Sequence, residues 1–166
     1  MATKNGVALN WGGFDRALSR AGHKLGDTQS LLEVVGETLE SSTRQRFEEG
    51  KSPEGEPWEP SGRVRATGGK TLNREGDLKK SITSKATPHE VRVGSALPYA
   101  RIHQKGGTIR PKKGKFLKFR GLNGEEVFVR EVTIPARPYL GVSAEDMEEV
   151  RAVMADFLKD AFKAGK

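Results

Sequence analysis

Two stretches of the chain repeat apolar residues at helical spacing. Near the C-terminus, Met147, Val150, Val153, Met154, Phe157, Leu158, Ala161 and Phe162 form one stripe of 3.6-residue period. Ser143, with Asp146 three residues on, marks its start, and Lys159 and Lys163 lie near its end, where the helix dipole favours cations. Earlier, Leu31, Leu32, Val35, Leu39 and Phe47 fall near one face of a helix predicted over about 28–48. Asp27, Thr28 and the Ser30–Glu33 pair are start signals, Glu40 and Arg44 form an i,i+4 pair, and Gly50 is the stop. A third, weaker pattern at Phe14, Leu18, Ala21 and Leu25 predicts a short helix over 14–25 within a flexible arm, 1–26.

Between the two strong helices the pattern is that of strands and loops. Lys51 to Glu75 holds three prolines and four glycines around Trp58, so it reads as a long loop. Trp58 is expected to fold back as a core anchor; the alternative is a platform for stacking a base. Leu78 and Ile82 predict a helical turn passing into a strand, and Glu90–Gly94 a second strand. Phe116–Phe119 and Val127–Ile134 predict a third and fourth, joined through Asn123-Gly124 as a hairpin. Alternation from Tyr99 to His103 predicts a half-buried extended segment after Pro98, released into a loop at Gly106-Gly107. Helix, strands with a hairpin, then helix argue an α+β fold: a mostly antiparallel sheet packed against an N-terminal and a C-terminal helix, one domain over 27–166.

Composition narrows the class. Hydrophobic residues make up 34% of the 166, with 20 glycines and 8 prolines, so a modest core with long loops is expected. The absence of cysteine removes disulfides and thiolate chemistry. The N-terminus has no apolar signal-like run and no segment approaches membrane-spanning length, so a soluble protein with no membrane partner is expected. The net charge of +7 is local. Arg101, Lys105, Arg110, Lys112, Lys113, Lys115, Lys118 and Arg120 fall in a stretch without one acid, while the rest of the chain holds 21 basic and 22 acidic residues. Such a block is either a contact surface or a solvated loop.

Familiar catalytic patterns fail on spacing. Gly69-Lys70-Thr71 resembles the end of a phosphate loop, but Val64 stands where its first glycine belongs. His23, His89 and His103 are scattered, without a partner at metal-ligand spacing, and no Gly-x-Ser-x-Gly elbow occurs. No catalytic residue, metal site or cofactor is expected. His103 beside Arg101 and Lys105 reads as a structural or interface hydrogen-bonding residue.

Several short motifs occur in a telling order. They are Arg46-Phe47; Pro53-Glu54-Gly55-Glu56-Pro57-Trp58; Gly76-Asp77-Leu78-Lys79-Lys80-Ser81-Ile82; Val93-Gly94-Ser95; Pro98-Tyr99-Ala100 with Ile102-His103-Gln104 and Gly106-Gly107; and Ile134-Pro135-Ala136-Arg137-Pro138-Tyr139-Leu140-Gly141. With them the chain resembles the phage virion morphogenesis, or tail completion, family from about Asp27 onward. Glu75, where the family often has a small or polar residue, is a mild departure.

The resemblance implies a non-enzymatic structural protein of a tailed phage or prophage, assembled in the host cytoplasm. It would act at the tail end or neck, where tails become competent to join filled heads. Its implied partners are other virion proteins (tail tube or tail terminator, head connector) and further copies of itself in a ring, with a hexamer favoured by analogy. Tyr99, Ile102, His103, Arg137 and Tyr139 are the candidates for shaping its interface or the core beneath it; Tyr99 and Tyr139 read equally well as core filling. Arg137→Glu is expected to impair assembly while leaving the fold intact. The basic stretch would face either an acidic neighbouring protein, the preferred reading, or DNA in the neck. A small basic nucleic-acid-binding protein is the alternative to the morphogenesis reading.

Overall fold

The computed structural model describes residues 5–8 and 28–163. The helix expected over 14–25, His23 and the cap residue Asp27 lie outside them. Helix α1, Thr28–Glu49, buries Leu31, Val35, Leu39, Thr43 and Phe47, one residue per turn, with Leu32, Gly36 and Arg46 beside them. The Thr28 hydroxyl donates to the Pro88 carbonyl at 3.1 Å, tying the start of the helix to a distant turn. The Arg44–Glu40 pair forms at 2.7 Å, and Gly50 ends the helix, its N–H donating to the Arg46 carbonyl at 2.7 Å.

Helix α1 lies across a three-stranded antiparallel sheet. Strand β1, Asn5–Ala8, pairs with β3, Val91–Ser95, which pairs on its other side with β2, Ile82–Ala86. β1 falls within the stretch expected to be a flexible arm. A Cβ on Gly36 would stand 2.9 Å from Val91 Cγ2 and 3.0 Å from Ser84 Cβ, so a side chain there would push the helix off the sheet. Helix α1 also supplies groups to β2: the Glu40 carboxylate accepts from Ser84 N–H at 2.7 Å and Arg44 donates to the Ile82 carbonyl at 2.9 Å. These satisfy backbone groups that the sheet itself does not.

The loop after α1 doubles back at once. Lys51 bridges to Pro57, Ser52 N–H donates to the Glu56 carbonyl at 2.8 Å, and Trp58 N–H to the Gly50 carbonyl at 2.8 Å. The turn delivers Trp58 edge-on to Phe47, ring centroids 5.6 Å apart. Trp58 is buried, which makes it the core anchor and leaves no face for a stacked base. Two short helices follow, α2 (Gly62–Thr67) and α3 (Asp77–Lys80), the second leading into β2 as expected. Glu48 of α1 holds this region, accepting from Lys70, Lys79 and, at 3.3 Å, Asn73. Those lysine hydrogen bonds bring its carboxyl down to about 2.

The segment expected to be extended after Pro98 is instead helical: α4, Ala100–Lys105. The alternation rested on two apolar residues, Ala100 and Ile102, too few to separate a period of 2 from one of 3.6. Strand β4, Gly107–Ile109, pairs with β7, Val132–Ile134; β5, Leu117–Arg120, pairs with β6, Glu126–Val129. The single fourth strand expected over 127–134 is thus two strands in different sheets, parted at Arg130-Glu131. The expected hairpin turn forms, with Gly124 N–H donating to the Gly121 carbonyl at 3.0 Å and Gly121 N–H to the Glu125 carbonyl at 2.7 Å.

Helix α5, Ala144–Lys163, starts with the expected reciprocal cap. Asp146 N–H donates to Ser143 Oγ at 3.1 Å, and Ser143 N–H to Asp146 Oδ2 at 2.7 Å. Val150 is buried in the core, against which Val153, Met154 and Phe157 also pack. The fold is α+β, as expected, and the strands among the described residues are divided among three small antiparallel sheets.

Candidate functional site

The family-like motifs meet in one place. The segment Arg137–Gly141 runs between α1, α4 and the Trp58 turn, and each neighbour grips its backbone. Gln104 of α4 does most: its Oε1 accepts from Tyr139 N–H and Leu140 N–H, both at 2.9 Å, and its Nε2 donates to the Leu140 carbonyl at 2.9 Å. Trp58 Nε1 donates to the Pro138 carbonyl at 2.8 Å. Arg46 donates to the carbonyls of Tyr139 and Gly141, both at 3.1 Å. Pro138 removes one N–H group from this stretch, and the partners satisfy much of what remains.

Arg46 also meets Asp146. The pair is buried, and Ser42 donates to the same carboxylate. Burial alone would raise the Asp146 carboxyl. The hydrogen bonds from Ser42 and from Ser143, with the Arg46 charge, outweigh it and hold the group below its ordinary value.

The five interface candidates divide between core and surface. Tyr139 is fully buried, its ring centroid 5.0 Å from that of Phe47 and its hydroxyl donating to the Ala100 carbonyl at 3.0 Å. Burial pushes its phenol up to about 12. Arg137 is only 4% exposed; its N–H donates to the His103 carbonyl at 2.8 Å and its Nε to the Glu59 carbonyl at 2.7 Å. That burial overturns the expectation that Arg137→Glu would spare the fold. Ile102 is half-buried on α4. Tyr99 is exposed, its ring edge-on to His103 at 6.0 Å. His103 Nδ1 is buried without a hydrogen-bond partner, and burial, with the Arg137 charge, lowers its pKa.

Tyr99, His103 and Arg137 line an open cleft of about 750 Å³ together with residues of the 59–78 region. Leu72 on its wall holds φ at 60°, a left-handed conformation that costs a leucine about 1–2 kcal/mol. Four arginines and three acids line the same cleft, so its charge is mixed. Among the described residues no cluster of three His, Asp or Glu side chains could hold a metal ion. No described helix is long and apolar enough to cross a membrane.

The eight basic candidates are exposed, but they do not form one uniform patch. Arg101 and Lys105 ride on α4. Arg110 pairs with Glu131 at 2.9 Å, and Lys118 with Glu126 at 2.6 Å while lying 5.5 Å from the centre of the Phe128 ring. Lys112, Lys113 and Lys115 occupy the loop into β5, and Arg120 ends that strand.

Ser42, Arg46, Gln104 and Asp146 were not among the site residues expected from sequence. Arg46 and Gln104 stood inside quoted motifs, yet their bonds reach across 100 and 36 positions of the chain, beyond any local signal.

Comparison with known proteins bears on this arrangement. The model of the phage virion morphogenesis family matches residues 9–159. The chain is 32% identical to Mu-like prophage FluMu G protein 2 of Haemophilus influenzae, over 86% of this chain and 87% of that one. It is 30% identical to "Putative capsid assembly protein G" of Escherichia phage Mu, over 90% of this chain and 91% of that one. No solved structure matches.

Proposed function

The chain belongs to the phage virion morphogenesis family, and from that premise we propose that it is a non-enzymatic structural protein that completes the tail and readies it to join a filled head. It sits at the tail end or neck, between tail and head-connector proteins, and works as a closed ring of identical copies, six by analogy.

The observation that carries this reading is how the family-like motifs are used. Arg46, Trp58, Gln104, Arg137 and Tyr139 direct their side-chain polar atoms at the chain's own backbone, and Arg46 also at Ser42 and Asp146. A catalytic cluster keeps groups aimed at a reacting atom. These groups build a rigid frame instead, which suits a protein that presents surfaces to neighbours.

The test is electron microscopy of a lysate from the phage or prophage with this gene disrupted. Separate DNA-filled heads and finished tails are expected, with joining restored by the gene in trans. One relative's name refers to capsid assembly, and a head-side role would leave malformed or absent heads instead. Intact, infectious particles would overturn the reading.

A further inference from the structure

The β5–β6 ribbon carries an apolar face on which Phe119 is exposed and Leu117, Val127 and Val129 are half-buried. Leu117 stands opposite Val129 and Phe119 opposite Val127, and directly opposed residues of an antiparallel pair share a face. That face is entirely apolar. None of these four side chains belongs to the core cluster or packs against it. Phe119 is 45% exposed, Phe128 on the reverse face 56%, and Leu122 at the tip 62%. A two-stranded ribbon is marginal in water by itself, and contiguous exposed apolar surface marks an interface. The loop feeding the ribbon carries Lys112, Lys113 and Lys115.

The complementary surface lies elsewhere on the same chain. Between α1 and α5 runs a groove of about 810 Å³ lined by Glu49, Glu54, Glu145 and Glu149. Its cations are already matched, Arg46 by Asp146 and Lys51 by Glu49 at 2.8 Å. One turn back from the groove residue Thr38, Val34 is a large apolar residue left 46% exposed. Among the described residues, none of the ribbon or its loop lines this groove.

We propose that the β5–β6 ribbon and its basic lead-in loop dock into the acidic α1–α5 groove of a second copy of this chain. Ribbon and groove are different patches, so the contact is heterologous, the kind that repeats head to tail and closes into a ring. The opposite charges select this partner and set the register. The proposal rests on the reading that the working form is a ring of identical copies.

The test uses the full chain in assembling particles. The protein has no cysteine, so a chain carrying both Lys115→Cys and Glu149→Cys reports the contact directly. Mild oxidation of purified particles should give a ladder of disulfide-linked multimers, and either single variant no ladder. Infectious particles that contain the double variant and give no ladder would overturn the docking while leaving the ring reading standing. Charge reversal gives the second arm. Changing Lys112, Lys113 and Lys115 to Glu should lower infectious yield by on the order of a hundredfold, with an unchanged melting curve. Adding Glu145→Lys and Glu149→Lys to that chain should restore it. Unchanged yield in the lysine variant, or loss of yield without rescue together with loss of salt-sensitive DNA retention, would overturn the docking, the latter in favour of DNA. Intact particles without the gene would instead remove the morphogenesis role itself.

Discussion

Arg46 and Asp146 are a hundred positions apart in the chain and in contact in the fold. Both are buried, so removing one leaves the other as an uncompensated charge. Asp146→Ala should cost about 3–5 kcal/mol in urea denaturation. Because the folded Asp146 carboxyl lies below its ordinary value of 3.8, the unfolded chain binds the proton more readily. The stabilisation is therefore present above that value and lost as pH falls through it, and the Asp146→Asn variant should lose this acid dependence. Tyr139 works at the other extreme. Its folded phenol, at about 12, stays protonated where the unfolded phenol, near 10, ionises. The Tyr139 contribution to stability is flat below pH 10 and falls between pH 10 and 12, by on the order of 2 kcal/mol. Tyr139→Phe should abolish that alkaline loss, at a cost near neutral pH of about 0.5–1.5 kcal/mol for the missing bond to Ala100, read by denaturation at the two pH values.

At the scale of elements, the fold depends on how α4 is attached. Gln104 holds the 138–141 backbone by three hydrogen bonds, and Gln104→Ala would leave two N–H groups and a carbonyl without their partner. The expected cost is about 1–3 kcal/mol, with faster amide exchange at Tyr139 and Leu140. At the C-terminal end of α4, Gly106 has φ of 67°, and a Cβ there would stand 2.7 Å from Ala136 N. The site therefore requires glycine twice over, by conformation and by clearance. The β5–β6 ribbon is energetically separate from this frame. Phe119→Ser should leave the denaturation midpoint of the isolated protein within about 0.5 kcal/mol of the parent, yet reduce incorporation into particles. A large loss of fold stability in that variant would show that the ribbon packs on the core after all.

For the whole molecule, the distribution of charge matters more than its sum. The +7 excess lies in one stretch, Arg101 to Arg120, while acids concentrate along α1 and the start of α5. This uneven distribution is an asymmetry that head-to-tail association can use. If self-association follows from this asymmetry, it should weaken as salt rises, because exposed charges are screened over about 8–10 Å at moderate ionic strength. Sedimentation of assembled rings at low and high salt would read that dependence, and salt-independent rings would point to the apolar faces as the dominant contact.

The sequence by itself determined what local periodicity and capping can express. Helices α1 and α5, the Ser143–Asp146 cap, the turn at Asn123-Gly124 and Trp58 as an anchor were all legible, since each is governed by neighbours within a few positions. The family motifs were legible too, as a pattern without a stated physical purpose. Only the tertiary structure decided that purpose, because Arg46 reaching Asp146, Gln104 reaching Tyr139 and Trp58 reaching Pro138 are contacts across 35 or more positions. It decided α4, where six residues hold too few apolar positions for any period to show. It placed Arg137 in the core beneath the surface, a choice the sequence left open, because a charged side chain is buried only where its hydrogen-bond partners allow and those lie far along the chain. And it separated the β5–β6 ribbon from the core, for alternation in a strand says which residues share a face but not what covers that face.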